Sequence, residues 1–282
     1  MTRYENVVDM KNTCVAFGSF ESVHKGHIKV AETVAAVAKE KGLTPVVVSI
    51  PAGGKVFTTE DEKEYLLKNT EIEVLVTCKK VAEDFVEKVI IDTLGAKVIV
   101  VGETSKDLET LKVAAEKTGV EVVVVEAVKV GEDIVSLDLV KAAYEACDYV
   151  RMTELLGHPY VMLGEVVHGK ALGRTQGMPT ANLGVADNKI KPIDAVYCTR
   201  VLLGDESFKA MTNIGKRPSV DNFDYVTIEA FILDFARDIY GQKLVLEVHK
   251  YVRGVVKFNS LAEVRAQIDK DIQEVRDFLD NI

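Results

Sequence analysis

The pattern of the sequence changes near Tyr160, and this change constrains the fold more than any other feature. Before it, short β-branched runs alternate with helical stretches such as Lys25–Lys41, which is typical of a parallel sheet covered on both faces. After it, strand-like runs follow one another for about ninety residues without helical periodicity, which indicates an antiparallel barrel or sandwich. The last stretch, Asn259–Ile282, has the periodicity of a closing helix.

Two domains follow from this change of pattern. The first is a doubly wound α/β domain, in which ligands bind at the carboxyl ends of the strands. A helix over about 137–156 precedes the change, and we place the boundary at its end. The predicted domains are therefore 1–156 and 157–282.

Charge is distributed unevenly between these domains. The chain of 282 residues has a formal net charge of −9. Residues 1–156 hold 19 basic and 27 acidic side chains, a net −8, so the remainder carries −1. This acidity argues against general nucleic-acid binding but not against nucleotides, which need only a local cationic pocket. The chain has neither an apolar signal core nor a membrane-length apolar run, so we expect a cytoplasmic protein.

The four cysteines are far apart and form no C-x-x-C pair. A structural zinc site or a redox dithiol is therefore not expected.

A His-x-Gly-His motif follows the first strand of the α/β pattern. The strand ends at Gly18, and His24, Gly26 and His27 stand at the start of the next helix. Amides at a helix N-terminus bind anions, Gly26 lets a phosphate approach the backbone, and two imidazoles can stabilise charge on an α-phosphate. The alternative is that both histidines are ordinary residues of a helix start.

A glycine-spaced loop opens the second domain. Its backbone amides can cradle phosphates, and two basic side chains add local positive charge. The residues concerned are Gly169, Lys170, Gly173, Arg174 and Gly177. The alternative for this loop is a mobile hairpin.

Pro179-Thr180-Ala181-Asn182 follows the loop directly. Thr180 and Asn182 lie two residues apart, so on a strand their oxygens face one side. Hydroxyl and amide oxygens are suited to Mg²⁺ and phosphate.

This segment and those after it resemble the riboflavin kinase signature. They are Pro179–Asn182, Ala195–Tyr197, Asn213–Ser219, Ile228–Phe235, Asp238–Gly241 and Arg253 with Lys257-Phe258. Together with the His-x-Gly-His motif, the chain resembles the bacterial bifunctional riboflavin kinase/FAD synthetase family. The resemblance implies a nucleotidylyltransferase-like first domain and a kinase domain built on an antiparallel β-barrel with a C-terminal helix.

The resemblance also implies roles. The kinase would transfer the ATP γ-phosphoryl group to the riboflavin 5′-hydroxyl and give FMN. Glu229 would accept the hydroxyl proton, Thr180 and Asn182 would hold Mg²⁺ and phosphate, and Arg253 would close over the flavin. The glycine-spaced loop would cover ATP. The alternatives are a solvent-facing carboxylate for Glu229 and a surface residue for Arg253.

The first domain departs from the family pattern. The family's G-N-F-D-G segment here contains Ser19, Glu21 and Ser22, and its I-S-S-T-x-I-R segment keeps one hydroxyl, Ser136, and ends in Val140 instead of Arg. Loss of a phosphate-binding cation weakens a triphosphate site. We therefore expect a riboflavin kinase whose FAD synthesis is impaired or lost. The alternatives are a fully bifunctional enzyme and a non-catalytic flavin- or nucleotide-binding regulator.

Overall fold

The computed structural model describes residues 1–168, 179–217 and 225–282. Their contacts divide the chain into two compact units, Met1–Val140 with Leu155–Gly157, and Lys141–Glu154 with His158–Ile282. The predicted fold class, a doubly wound α/β unit followed by an antiparallel barrel with a C-terminal helix, is confirmed. None of the helices in these ranges is long and apolar enough to span a membrane.

The described part of the first unit contains a sheet of six parallel strands. They are β1 (Thr2–Tyr4), β2 (Thr13–Gly18), β3 (Thr44–Ser49), β4 (Val74–Thr77), β5 (Ala96–Gly102) and β6 (Glu121–Val125). Their order is β1-β4-β3-β2-β5-β6. The chain therefore places β3 and β4 on one side of β2, and β5 and β6 on its other side. Such a switch point opens a ligand crevice at the carboxyl ends of the strands, where the His-x-Gly-His motif follows β2.

Helices cover both faces of this sheet. They are α1 (Lys25–Lys41), α2 (Glu60–Leu67), a π-helix (Val86–Thr93) and α3 (Leu108–Thr118). Alanine and valine side chains of α1 pack into one core cluster, while Ile90 and Leu111 belong to the cluster on the other face. The turns of Val86–Thr93 are wider than α-helical, with the Leu94 amide bonded to the Val89 carbonyl at 2.9 Å.

The helix predicted over 137–156 is two helices in the structure. A short hairpin, β7 (Lys129–Val130) and β8 (Asp133–Ile134), precedes α4 (Leu137–Glu145) and α5 (Tyr149–Leu156). Between the helices, Cys147 has a φ of 56° and stops α4. Asp148 Oδ1 accepts a hydrogen bond from the Arg151 amide at 2.9 Å, so it caps α5.

Six antiparallel strands close a barrel in the described part of the second unit. They are β9 (Tyr160–Val167), β10 (Ala181–Val185), β11 (Ala195–Leu203), β12 (Glu206–Arg217), β13 (Tyr225–Ile232) and β14 (Lys243–Gly254), in the order β10-β13-β12-β11-β14-β9. Helix α6 (Leu261–Asp280) follows, and its Val275 and Leu279 are buried against Cys198 and Leu233.

Tyrosines attach α4 and α5 to the barrel unit. The Tyr144 hydroxyl donates to the Lys191 carbonyl at 2.6 Å, and the Tyr149 ring meets that of Tyr197 edge-on at 5.5 Å. Tyr149 and Tyr197 are almost fully buried. These contacts explain why Lys141–Glu154 belongs to the second unit, whereas Leu155–Gly157 belongs to the first.

Candidate active sites

Glu229 lies in a row of polar side chains that crosses three barrel strands. It is paired in register with Asn182 of β10 on one side and with Asn213 of β12 on the other. Side chains that are directly opposite in an antiparallel sheet face the same side. The row therefore brings one carboxylate and two amides together on one face.

This face is the outer one. The residues on either side of Glu229, Ile228 and Ala230, are buried to 2% exposure, whereas Glu229 is half-buried and Asn213 is exposed. Strand alternation turns neighbouring side chains to opposite faces, so Ile228 and Ala230 fill the barrel interior and Glu229 points outward.

Thr180 lines a cavity of about 330 Å³ in the barrel unit. The cavity is lined by Pro179–Ala181, at the start of β10, and by the turn that follows β13. This turn includes Arg237 and Tyr240. The Tyr240 ring stacks on His168 at 4.0 Å. The Arg237 guanidinium lies over the Phe235 ring, 4.9 Å from its centroid. The cavity thus combines aromatic walls with a hydroxyl.

Arg253 belongs to the same cross-strand row as Glu229, because Asn213 pairs with Val196 and Val196 pairs with Arg253. Its guanidinium is bound by Asp271 of α6, with Nε 2.9 Å from Oδ2 and Nη2 2.7 Å from the same oxygen. Asp271 is 2% exposed. A buried carboxylate therefore fixes the arginine for which flavin binding is predicted.

Replacing Asp271 by Asn should disturb this arginine without changing the size of the side chain. We expect the KM for riboflavin to rise about tenfold, because the bidentate ion pair that orients Arg253 is lost. The free energy of unfolding should fall by about 2 kcal/mol, since the Arg253 guanidinium, with its side chain 22% exposed, loses its charged hydrogen-bond partner. Asp277→Asn, on the exposed side of α6, is the matched control. Equal riboflavin KM values for both variants would show that Arg253 does not act on the flavin.

The predicted phosphate loop lies outside the described residues. Gly169, Lys170, Gly173, Arg174 and Gly177 therefore remain predictions from the sequence.

The first unit brings the two histidines of the motif together. His24 caps the N-terminus of α1, and its Nδ1 accepts a hydrogen bond from the His27 amide at 3.4 Å. The two rings stack at 3.8 Å between centroids. A Cβ on Gly26 would lie 3.1 Å from the His24 ring, so a glycine there leaves room for the stack.

Both imidazoles are neutral at pH 7. Desolvation lowers the pKa of His24 to about 4. It also lowers the pKa of His27 well below 6.5, and repulsion from His24, when that ring is protonated, and from Lys63 lowers it further. His27 is half-buried, and its Nδ1 has no hydrogen-bond partner among the described residues. The pair therefore offers hydrogen-bonding groups at the helix N-terminus instead of fixed charge.

Ser136 and Gly18 have structural positions that the sequence only partly indicated. Ser136 Oγ accepts a hydrogen bond from the Leu139 amide at 3.3 Å, so this hydroxyl caps α4. Gly18 ends β2 and pairs with Ser49 of β3. Val140, which replaces the family's arginine, is fully buried.

Lys63 is a residue of this site that the sequence analysis missed. Its side chain is 1% exposed, and Nζ donates to Glu60 Oε1 at 2.7 Å and to Ser49 Oγ at 3.0 Å. One signal was available: Lys63 is the single base in an acidic run that begins at Glu60.

Two family models cover most of the chain. An FAD synthetase model matches residues 7–138, and a riboflavin kinase model matches residues 156–279. Three curated relatives share both parts in one chain and carry the name bifunctional riboflavin kinase/FMN adenylyltransferase. The chain belongs to the bacterial bifunctional riboflavin kinase/FAD synthetase family.

These relatives match this chain almost end to end. The protein of Haemophilus influenzae is 28% identical and the alignment covers 96% of each chain. That of Escherichia coli K12 is 29% identical, with 94% of this chain and 92% of the relative covered. That of Bacillus subtilis is 29% identical, with 97% and 95% covered.

A solved structure has the same fold along almost the whole length of this chain. It is a Streptococcus pneumoniae protein described as a macrolide-efflux protein, with a TM-score of 0.82, 27% identity and 98% of each chain covered.

These matches bear on one expectation, that FAD synthesis is impaired or lost. The FAD synthetase model matches residues 7–138, a range that includes Ser22 and ends before Val140, and the relatives are named for both activities. The findings therefore favour the bifunctional alternative over a kinase with an impaired first domain. ATP, riboflavin and FMN are the substrates that this family implies.

Proposed function

We propose that the second unit is a riboflavin kinase that transfers the γ-phosphoryl group of ATP to the 5′-hydroxyl of riboflavin. One observation carries the proposal: Glu229 is in register with Asn182, two residues along the chain from Thr180 and its cavity. A base and neutral oxygen donors thus lie close together, as phosphoryl transfer requires.

Glu229 acts as the base in this proposal. It takes the proton of the 5′-hydroxyl while the hydroxyl oxygen forms a bond to the γ-phosphorus and the bond to the β-γ bridging oxygen breaks. FMN and ADP are the products. Because such a transition state is loose, most of the rate enhancement comes from orientation and charge stabilisation.

Mg²⁺ fits the donor set of Thr180 and Asn182. Both offer neutral oxygens, and Mg²⁺ commonly takes one or two protein oxygens together with substrate phosphates and water. No cluster of three His, Cys, Asp or Glu residues that could hold a metal occurs in the part of the chain that the structure describes. When bound, Mg²⁺ would neutralise charge on the transferring phosphate.

The cavity beside Thr180 is suited to the nucleotide. Its volume of about 330 Å³ lies at the small end of ligand pockets, and it has the apolar and aromatic walls that bind a planar base. Arg253, held by Asp271, lies farther along the outer row and is assigned to the flavin side of the site.

We propose adenylyl transfer from ATP to FMN as the second activity, in the first unit. It is supported by the stacked His24 and His27 at the N-terminus of α1, beside the switch point of the sheet. Helix amides and imidazole groups at that position bind and orient an α-phosphate. FMN oxygen attacks that phosphorus, and pyrophosphate leaves.

One incubation tests both activities. Protein with riboflavin and MgATP should form FMN first and then FAD, which chromatography resolves. FMN without FAD would contradict the second activity and restore an impaired first domain. Absence of both products, with tight flavin binding, would contradict the kinase and favour a flavin-binding regulator.

A further inference from the structure

A buried polar cluster lies at the carboxyl edge of β3 and β4. Ser49 and Thr77 end these strands, are paired in register and are fully buried. Both hydroxyls donate to the Glu60 carboxylate, at 3.1 Å and 3.3 Å. Lys63 donates to Glu60 and to Ser49. We call these four residues the Lys63 cluster.

This cluster adjoins the His-x-Gly-His motif. Ser49 pairs with Gly18, and the strand that Gly18 ends leads into the motif. The Glu21 carboxylate, on the turn before α1, accepts a hydrogen bond from the Phe57 amide, just before α2. The cluster therefore lies at the same edge of the sheet as the start of the His-x-Gly-His motif.

On the side of the cluster that faces the histidines, the negative charge of Glu60 does not fully offset the positive charge of Lys63. Lys63 is 1% exposed, whereas the side chain of Glu60 is 22% exposed and water screens it more. The Lys63 charge lowers the pKa of His27, and Glu60 has no opposing effect there. The charged and titratable groups that act on His27 are thus His24, at the start of the same helix, and Lys63 on α2.

A polyphosphate needs positive charge that this motif does not supply. The imidazoles are neutral, and Val140 replaces the arginine that the family pattern places at the end of its I-S-S-T-x-I-R segment. A buried ammonium acts over a longer distance than an exposed one, because water screens it less.

We propose that Lys63 is a positioning residue of the N-terminal nucleotide site. Its buried ammonium supplies, close to His27, the fixed positive charge that holds a polyphosphate. The inference rests on the proposed adenylyl-transfer site. Lys63 does not touch the nucleotide; it acts through the electrostatic potential at the helix N-terminus.

The test compares a charge change with a structural change in the same cluster. Lys63→Met removes the charge, whereas Ser49→Ala breaks the hydroxyl link and leaves both charges. ATP, added without riboflavin, is titrated against the imidazole NMR signals of His24 and His27, which report on this site alone. We expect about tenfold weaker ATP binding for Lys63→Met and less than about twofold change for Ser49→Ala. The pKa of His27 should rise in Lys63→Met only.

Two further proteins keep the test decisive. Lys63→Met with Glu60→Gln leaves no unpaired carboxylate in the Lys63 cluster, so this double variant serves if the single variant unfolds. It should still bind ATP several-fold more weakly, because Lys63 is the member of the pair that acts on His27. Lys39→Met, at the exposed far end of α1, controls for the loss of one cation and should bind ATP like the original protein.

The outcomes separate this inference from the proposed activity. Equal weakening of ATP binding by Lys63→Met and Ser49→Ala would overturn the positioning role. Unchanged ATP binding in both Lys63→Met and the double variant with Glu60→Gln would overturn it as well. If the original protein binds ATP at His27 and forms no FAD, adenylyl transfer fails, and the same binding series still decides the role of Lys63.

Discussion

Glu229→Gln should reduce the rate of FMN formation by at least about a hundredfold at saturating ATP and riboflavin. Glutamine keeps the size and hydrogen-bonding shape of the side chain but does not accept the proton of the 5′-hydroxyl. KM values should change little, because the amide still fits between Asn182 and Asn213. Steady-state kinetics of FMN formation measures the effect.

A second carboxylate of the same barrel provides the control. Glu165→Gln, on the exposed side of β9, removes one negative charge without entering the Glu229 row, so it should leave kcat within about twofold. FAD formation from supplied FMN should be normal in both variants. Unchanged turnover in Glu229→Gln would exclude this residue as the base.

His24→Asn should have a comparable effect on the other reaction. We expect FAD formation from supplied FMN to fall at least about a hundredfold, because a group that stabilises the developing charge on the α-phosphate is lost. Asparagine is a good helix cap, so the start of α1 is preserved while the imidazole stack with His27 is removed. The measurement is the initial rate of FAD formation.

The kinase reaction of the same variant is its internal control. FMN formation should be unchanged, because Glu229 and Thr180 belong to the barrel unit. FAD formation at the original rate would show that the stacked histidines do not serve adenylyl transfer, whereas loss of FMN formation would indicate that the two reactions are coupled.

Local patterns in the sequence predict the elements of this fold well. The helix over Lys25–Lys41 is found as expected, since a glycine and a regular apolar face mark its end and its buried side. The alternation around Glu229 correctly indicates a strand, because Ile228 and Ala230 on either side are apolar and buried. Such features depend on neighbouring residues, and a sequence displays them directly.

Contacts between distant elements are what the sequence does not display. The ion pair of Arg253 with Asp271 depends on how α6 lies on the barrel. Lys63 resembles a surface residue in an acidic segment, and only the packing of α2 against β3 and β4 buries it. The break at Cys147 was missed because its flanking segments are both helical, and only three residues, one of them left-handed, separate the two helices.

The same limit applies to the expectation about FAD synthesis. It rested on several departures from the family pattern, above all the groups lost from the I-S-S-T-x-I-R segment, and a sequence compared motif by motif gives each lost charge full weight. In the fold, positive charge for one site can come from a different element, and the Lys63 cluster illustrates how a helix distant in sequence reaches the same edge of the sheet.

The tyrosine contacts of α4 and α5 have a consequence for separating the two activities on independent polypeptides. A kinase fragment cut at the predicted boundary would begin after both helices and would expose the Tyr197 ring that Tyr149 covers. A fragment beginning at Lys141 retains that cover. If the gene is split, or the kinase is fused to another protein, these two helices should therefore stay on the kinase polypeptide, although they precede the riboflavin kinase match in the chain.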